Sequence, residues 1–179
     1  QEKDLITGKK FVIKLWNASK FVFMNLENYT NSPPQQLERI DYLFLEKLND
    51  LIKQCTLFFE SYEYSRIKQE VEHFFFKEFT DNYLEIIKKR VYNGTGSQKQ
   101  SAQFTLHITL FTLLKILAPF IPFITEEIYQ TYYRKNETVQ SIHLNKWPKK
   151  IFLPHHEKRK NNFFDEYILF MDLLTRVRK

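Results

Sequence analysis

Lys10, Lys14 and Asn17 stand four and three residues apart. On a helix that spacing puts all three within roughly 60° of one another, and Phe21 falls in the same stripe. Two ammonium groups, an amide and an aromatic ring in one row suit an unpaired RNA loop. Lysine meets phosphate, the amide bonds a base edge or the backbone, and an exposed ring stacks a base. Lys20 adds a third ammonium beside the row. A plainer explanation is that Phe21 packs beneath a neighbouring helix, and spacing alone does not choose between the two.

Other residues able to do chemistry are dispersed. His73, His107, His143 and the pair His155–His156 have no second ligand at helical spacing, so no metal set is expected. The single cysteine, Cys55, excludes an intramolecular disulfide framework and a multi-cysteine zinc site, and points to a reducing cytosol. It falls in an apolar stripe and reads as a buried, inert thiol. Glu126 and Glu127 diverge by about 100° on a helix, which suits a place near a helix N-terminus better than a paired acid and base. Asp81, Glu85 and Lys89 follow at intervals of four, the pattern of a surface ion pair between Glu85 and Lys89. No Gly-rich phosphate loop, GxSxG elbow or HExxH pair is present, so no catalytic residue is expected in this segment.

Helices must position the lysine row. Of 179 residues 43% are hydrophobic, with 18 Phe and 10 Tyr, which excludes a disordered chain. Only 3 Gly and 6 Pro leave little material for hairpins and favour an all-α bundle of about six helices. Apolar periodicity predicts helices over about 4–25, 36–60, 65–92, 98–117, 122–133 and 163–178. The first would bury Phe11, Leu15, Ala18 and Val22, and the fourth is apolar nearly all round, as a central helix should be. Gly94 suits a left-handed cap after the third helix, and Pro122 suits the first turn of the fifth. Residues 139–154 look extended and could hold a short strand. This divides the chain into a bundle over 1–138 and an extended connector with a closing helix over 139–179, together one domain.

Residues 104–123 are long enough to span a bilayer, but Lys115 in the middle and Pro119 and Pro122 at the far end argue for burial among helices instead. The net charge of +6 is unevenly spread: residues 1–25 carry +3, 26–84 carry −5, 85–100 carry +3 and 144–160 carry +5. Basic zones separated by an acidic one favour an anionic partner. The first residue is Gln1 rather than Met, which suggests a piece of something longer.

Four stretches, in order, resemble a known family. Gly8-Lys9-Lys10-Phe11, Lys14-Leu15-Trp16-Asn17-Ala18 and Lys20-Phe21 are similar to the opening helix of the anticodon-binding domain of class Ia aminoacyl-tRNA synthetases. Phe79, Asp81, Tyr83, Leu84 and Glu85, with Lys88 to Arg90 after them, resemble its F-x-D-x-Y-L-E stretch. Leu117, Pro119, Pro122, Phe123, Thr125, Glu126, Glu127, Ile128 and Tyr129 resemble its L-x-P-x-x-P-F-x-T-E-E element. Ser141-Ile142-His143 and Trp147-Pro148 look like its S-I-H…W-P signature. The chain departs from it at Asp41-Tyr42-Leu43, where many members read Asp-Arg-Trp, at Ala118, where His is frequent, and at Tyr129 in place of Trp.

The resemblance implies a helical bundle that grips the anticodon arm of a tRNA. Lys10, Lys14 and Lys20 would meet phosphates, Asn17 a base or the backbone, and Phe21 a stacked base, with Lys88, Lys89, Arg90 and Tyr92 as a second set. It also implies catalytic and editing domains earlier in a cytoplasmic parent chain, which would use ATP and Mg²⁺, whereas this segment itself would need no cofactor or metal. The K-L-W-N-A wording is most similar to the valine-specific branch. The same domain of an isoleucyl, leucyl or methionyl synthetase is the near alternative. A helical adaptor that binds protein, through a groove beside Phe163–Phe170, is the distant one. Neither a membrane nor a partner subunit is expected.

Overall fold

The computed structural model describes residues 2–153 together with Tyr167 and Leu169. Helix α1 (Glu2–Met24) buries Phe11, Leu15, Ala18 and Val22, the stripe expected from their spacing. A loop leads to α2 (Arg39–Glu60), whose buried side includes Phe44, Leu48, Leu51 and Cys55. Burial pushes the Cys55 thiol up to about 12, so it stays a neutral core group.

The third predicted helix is a continuous rod with an unpredicted middle. Helix α3 (Tyr64–His73) passes into a π-helical stretch (Phe74–Tyr83) and then into α4 (Leu84–Asn93). The joins keep helical dihedrals: His73 has φ −59° and ψ −51°, and Tyr83 has φ −60° and ψ −46°. Hydrogen bonds of the π type reach five residues back, so the chain turns less per residue than in an α-helix. Phe75, Phe79, Tyr83, Ile87 and Val91, spaced by four, would drift around an α-helix, yet all are buried here. Phe44 of α2 stacks on Tyr83 at 4.0 Å, a contact of about 0.5–1.5 kcal/mol beyond its area.

Gly94 is not left-handed, as expected from sequence, but extended, with φ −73° and ψ 154°. It is needed for space, because a Cβ there would lie 2.2 Å from the Arg90 carbonyl oxygen. The positive φ, +61°, belongs to Gly96, which opens α5 (Gly96–Leu117). Helix α5 is buried along most of its length and forms the middle of the bundle. At its end Pro122 occupies the first turn of α6 (Pro122–Ile128), which continues as a π-helical turn over Tyr129–Tyr133.

No strand occurs among the described residues. Where the sequence suggested a short strand, Ile142–Leu144 form a 3-10 turn and the chain then continues without regular secondary structure to residue 153. Side chains substitute for a strand ladder. The Asn49 amide accepts from the Ile151 N–H at 2.7 Å and donates to its carbonyl at 3.2 Å, while Trp147 Nε1 donates to Thr56 Oγ1 at 2.9 Å. The predicted closing helix, 163–178, lies outside the described residues except for Tyr167 and Leu169. Among the described residues, no helix is long and apolar enough to cross a membrane.

Candidate nucleic-acid interface

Helix α1 runs beside the rod in the same direction. Phe11 meets Phe75 at 5.2 Å, Lys14 pairs with Asp81 at 2.9 Å, and Phe21 meets Tyr92 edge-on at 6.2 Å. This alignment brings together two sets of residues that are separate in the sequence. The row on α1 and the set at the end of α4 meet at the Phe21–Tyr92 contact.

Lys10, Asn17, Lys20, Lys89 and Tyr92 are exposed, whereas Lys14, Phe21, Lys88 and Arg90 are half-buried. Phe21 thus satisfies neither simple expectation fully: one edge packs on Tyr92 and the rest of the ring remains partly open. Lys20 lies over the Trp16 ring at 5.4 Å. Lys14 lies over Phe76 at 4.7 Å while bonding Asp81. Burial alone would raise the Asp81 carboxyl, but the bond and charge of Lys14 outweigh it and hold the group below its ordinary range. Glu85 pairs with Lys88 at 2.6 Å rather than with Lys89, as spacing had suggested, because residues three apart also share a helix face.

Arg90 sits differently from the other basic residues. Its two terminal nitrogens bond both oxygens of Asp41, at 2.6 and 2.7 Å. The same carboxylate accepts from Tyr83 Oη at 2.8 Å and from Ser101 Oγ at 2.5 Å, and Ser101 Oγ in turn accepts the Glu38 N–H at 2.9 Å. Burial and the neighbouring Asp41 push the Tyr83 phenol well above its ordinary range, so it remains a donor. Four elements, α2, the π stretch, α4 and α5, are thus tied at one buried carboxylate. Arg90 fixes the end of α4, and so the base of Tyr92, rather than presenting free charge.

Sequence reasoning missed Asp41 as the centre of this network. A faint signal was there: an acid between Ile40 and the apolar run Leu43-Phe44-Leu45, where a buried carboxylate must be paired. A second tie joins two of the quoted motifs. Glu126 accepts from Ser141 Oγ and the Ile142 N–H, both at 2.9 Å, and from Gln130 Nε2 at 2.7 Å. Burial would raise its carboxyl, but these bonds and nearby His143 hold it below its usual range. Its role is therefore anchoring the 3-10 turn, more than the helix-dipole effect expected from sequence.

Among the described residues no group of three or more His, Cys, Asp or Glu stands close enough to hold a metal ion. The α1 row and the end of α4 place ammonium groups and two aromatic rings along one edge of the helical pair.

Residues 41–179 match the family described as the anticodon-binding domain of tRNA ligase. The chain is 42% identical over 177 residues to the valine–tRNA ligase of Ehrlichia canis (strain Jake), covering 96% of this chain and 21% of that protein. The valine–tRNA ligase of Orientia tsutsugamushi (strain Boryong) is 36% identical over 196 residues, covering 99% and 22%. That of Thermococcus kodakarensis is 38% identical over 141 residues, covering 78% and 16%. The chain spans about a fifth of the length of these relatives, and by its family match it belongs to the anticodon-binding domains of tRNA ligases.

Proposed function

We propose that this segment holds the anticodon arm of a tRNA for a ligase that attaches valine, with catalysis carried out in the rest of that larger chain. The observation that carries the reading is the Phe21–Tyr92 contact, which joins the α1 row to the end of α4 in a family of anticodon-binding domains. Lys10, Lys20 and Lys89 are the phosphate contacts in this reading, Asn17 bonds a base or the backbone, and Phe21 with Tyr92 offers the stacking surface. Lys14 and Lys88 would exchange a carboxylate partner for a phosphate, and Arg90 supports from behind. Valine is favoured over isoleucine, leucine or methionine because the relatives cited above are all named valine–tRNA ligases. ATP and Mg²⁺ would serve the catalytic body, in the cytosol. By fixing the distal arm of the tRNA, the segment would set where the acceptor end lies.

The far end of the rod supports a seat for that catalytic body. There Phe59, Tyr62 and Tyr64 are exposed, ring contacts link Phe59 to Trp147 and Tyr64 to Phe120, and Phe123 is 90% exposed. Apolar rings concentrated at one surface mark an interface, and four-fifths of the relatives' length remains to cover it.

Binding of an anticodon stem-loop RNA tests the function. Phe21→Ala should weaken it by roughly 5- to 100-fold, the range of one lost base stack. Lys10→Ala should weaken it about equally across sequences and lower its salt slope by roughly one. Unchanged affinity and slope in both variants would overturn the RNA reading. Charging assays of the full-length enzyme with valine and isoleucine decide the amino acid.

A further inference from the structure

The exposed face of α1 has a second flank, and it too carries lysines and rings. A surface groove of about 650 Å³ lies between the end of α1 and the π-helical turn after α6. Lys20 and Met24 line it from α1 and Glu27 from the loop that follows, with Tyr132 and Lys135 on the opposite wall. Phe23 stacks on Tyr132 with ring centroids 4.0 Å apart and planes within 2°, and Trp16 approaches Tyr132 at 6.5 Å. Met24 is 79% exposed at the lip.

The groove is continuous with the row already described. Met24 follows Asn17 by seven residues, so it lies about 20° from Asn17 around the helix. Lys20, one of the α1 lysines, forms part of the groove wall. We infer that this groove takes a single-stranded nucleotide continuing out of the Asn17–Phe21 row, so that the RNA crosses the exposed face of α1 from the α4 side to the α6 side.

The chemistry favours RNA over an apolar peptide. Ammonium groups stand on both walls, Lys20 on one and Lys135 on the other, against the single carboxylate of Glu27. A phosphate crossing the groove can meet both. Phe23 holds the Tyr132 ring in a fixed plane, so a base would stack on a surface whose entropy is already lost. Met24 supplies a polarisable thioether that adapts to whichever base arrives. The volume lies in the roughly 300–1,000 Å³ range of small-ligand sites, which suits a nucleotide.

This inference rests on the proposed function, and the experiment separates the two. Full-length ligase carrying this segment would be titrated with an anticodon stem-loop RNA of valine tRNA, with affinity read by fluorescence anisotropy across a salt series. Lys135→Glu should weaken binding on the order of tenfold, Lys135→Ala should lower the salt slope by roughly one, and Met24→Ala should weaken binding by a few-fold. A 4-thiouridine in the loop should crosslink to Met24 or Tyr132. If Asn17→Ala weakens binding while the Lys135 and Met24 variants bind as the parent does, the groove is overturned and the anticodon reading stands. If none of the variants weakens binding, both fall. Lys135 and Met24 are exposed, so circular dichroism should show an unchanged fold. Should Lys135→Glu nevertheless unfold, Lys135→Ala and Met24→Ala decide by the same criterion.

Discussion

The rod formed by α3, the π stretch and α4 ends in aromatic residues at both poles, but their surroundings differ. At the Tyr64 pole rings touch rings: Tyr62 and Phe59 meet Tyr64, and Phe59 meets Trp147. At the Tyr92 pole the ring meets, among the described residues, one other aromatic, Phe21, which sits in a row with Lys10, Lys14 and Asn17. The twenty α-helical residues of the rod alone separate the poles by about 30 Å. Residue type therefore does not tell the two surfaces apart. Rings clustered on rings lose water to another apolar surface, which suits a protein body. Rings interleaved with ammonium groups suit a ligand with both charge and flat faces. In the function proposed above, the domain is a strut with one end facing protein and the other facing RNA.

The largest expected effect lies beneath the RNA-facing pole. Asp41→Ala leaves the Arg90 guanidinium buried without its partner, a change that typically costs about 3–5 kcal/mol. Denaturant unfolding should show that loss, and hydrogen exchange should show α4 fraying around Tyr92 before the Tyr64 pole loosens. Replacing both partners, Asp41→Leu with Arg90→Leu, should recover part of the stability, because the guanidinium is no longer stranded while Tyr83 and Ser101 still lose their acceptor. If the double variant regains stability but binds RNA as poorly as Asp41→Ala, Arg90 acts on RNA directly as well as through the fold.

The next effect concerns acid. His107 of α5 lies between Tyr29 and Tyr133, and burial lowers its imidazole to about 4. The folded state thus favours the neutral ring, and the unfolded chain takes up a proton first as pH falls. The associated stability is complete above about 6.5, declines below it, and is lost once pH falls through about 4. Its size is on the order of 3 kcal/mol. Tyr29 belongs to the loop that follows α1, so acid should loosen that side first. His107→Phe should flatten the stability profile between pH 6.5 and 4, measured by thermal unfolding. An unchanged acid limb would mean that other groups set it.

Most of the fold was legible in the sequence because burial enforces periodicity. The Phe11–Val22 stripe, the Phe44–Cys55 stripe and the Pro122 start all lie where spacing put them. The π stretch was not legible, because Phe75, Phe79 and Tyr83 fit an α-helix of moderate drift until their common burial is seen. Gly94 and Gly96 could not be told apart, since a backbone close approach and a positive φ both select glycine. Within the candidate site the α1 row was readable as one helix face. Its meeting with Tyr92 was not, because nothing local links residues 21 and 92. Arg90 could not be recognised as an internal residue from a basic run, where three adjacent charges look alike until their partner, 49 positions away, is in view.

The protein-facing pole gives a smaller and opposite test. Phe123 makes little use of its ring within this chain, so Phe123→Ser should change stability by less than about 0.5 kcal/mol. In the full-length ligase it should leave stem-loop affinity unchanged while lowering tRNA charging about tenfold, a 1.4 kcal/mol effect on coupling between the two ends. A loss of RNA affinity with intact coupling would reverse the assignment of the poles.

The smallest effect separates two neighbouring lysines. Lys88 bonds Glu85 at 2.6 Å, whereas Lys89 is exposed with no ion pair among the described residues. Exposed pairs contribute roughly 0–1 kcal/mol, so Lys88→Ala should barely alter stability. Its effect on RNA should be small too, because a phosphate contact there must displace Glu85 and releases less net charge compensation. Lys89→Ala should lower the salt slope of stem-loop binding by roughly one, and Lys88→Ala by clearly less. Equal slopes would show that Glu85 releases its partner without cost when RNA arrives, and the RNA-facing pole would then extend along the whole exposed side of α4.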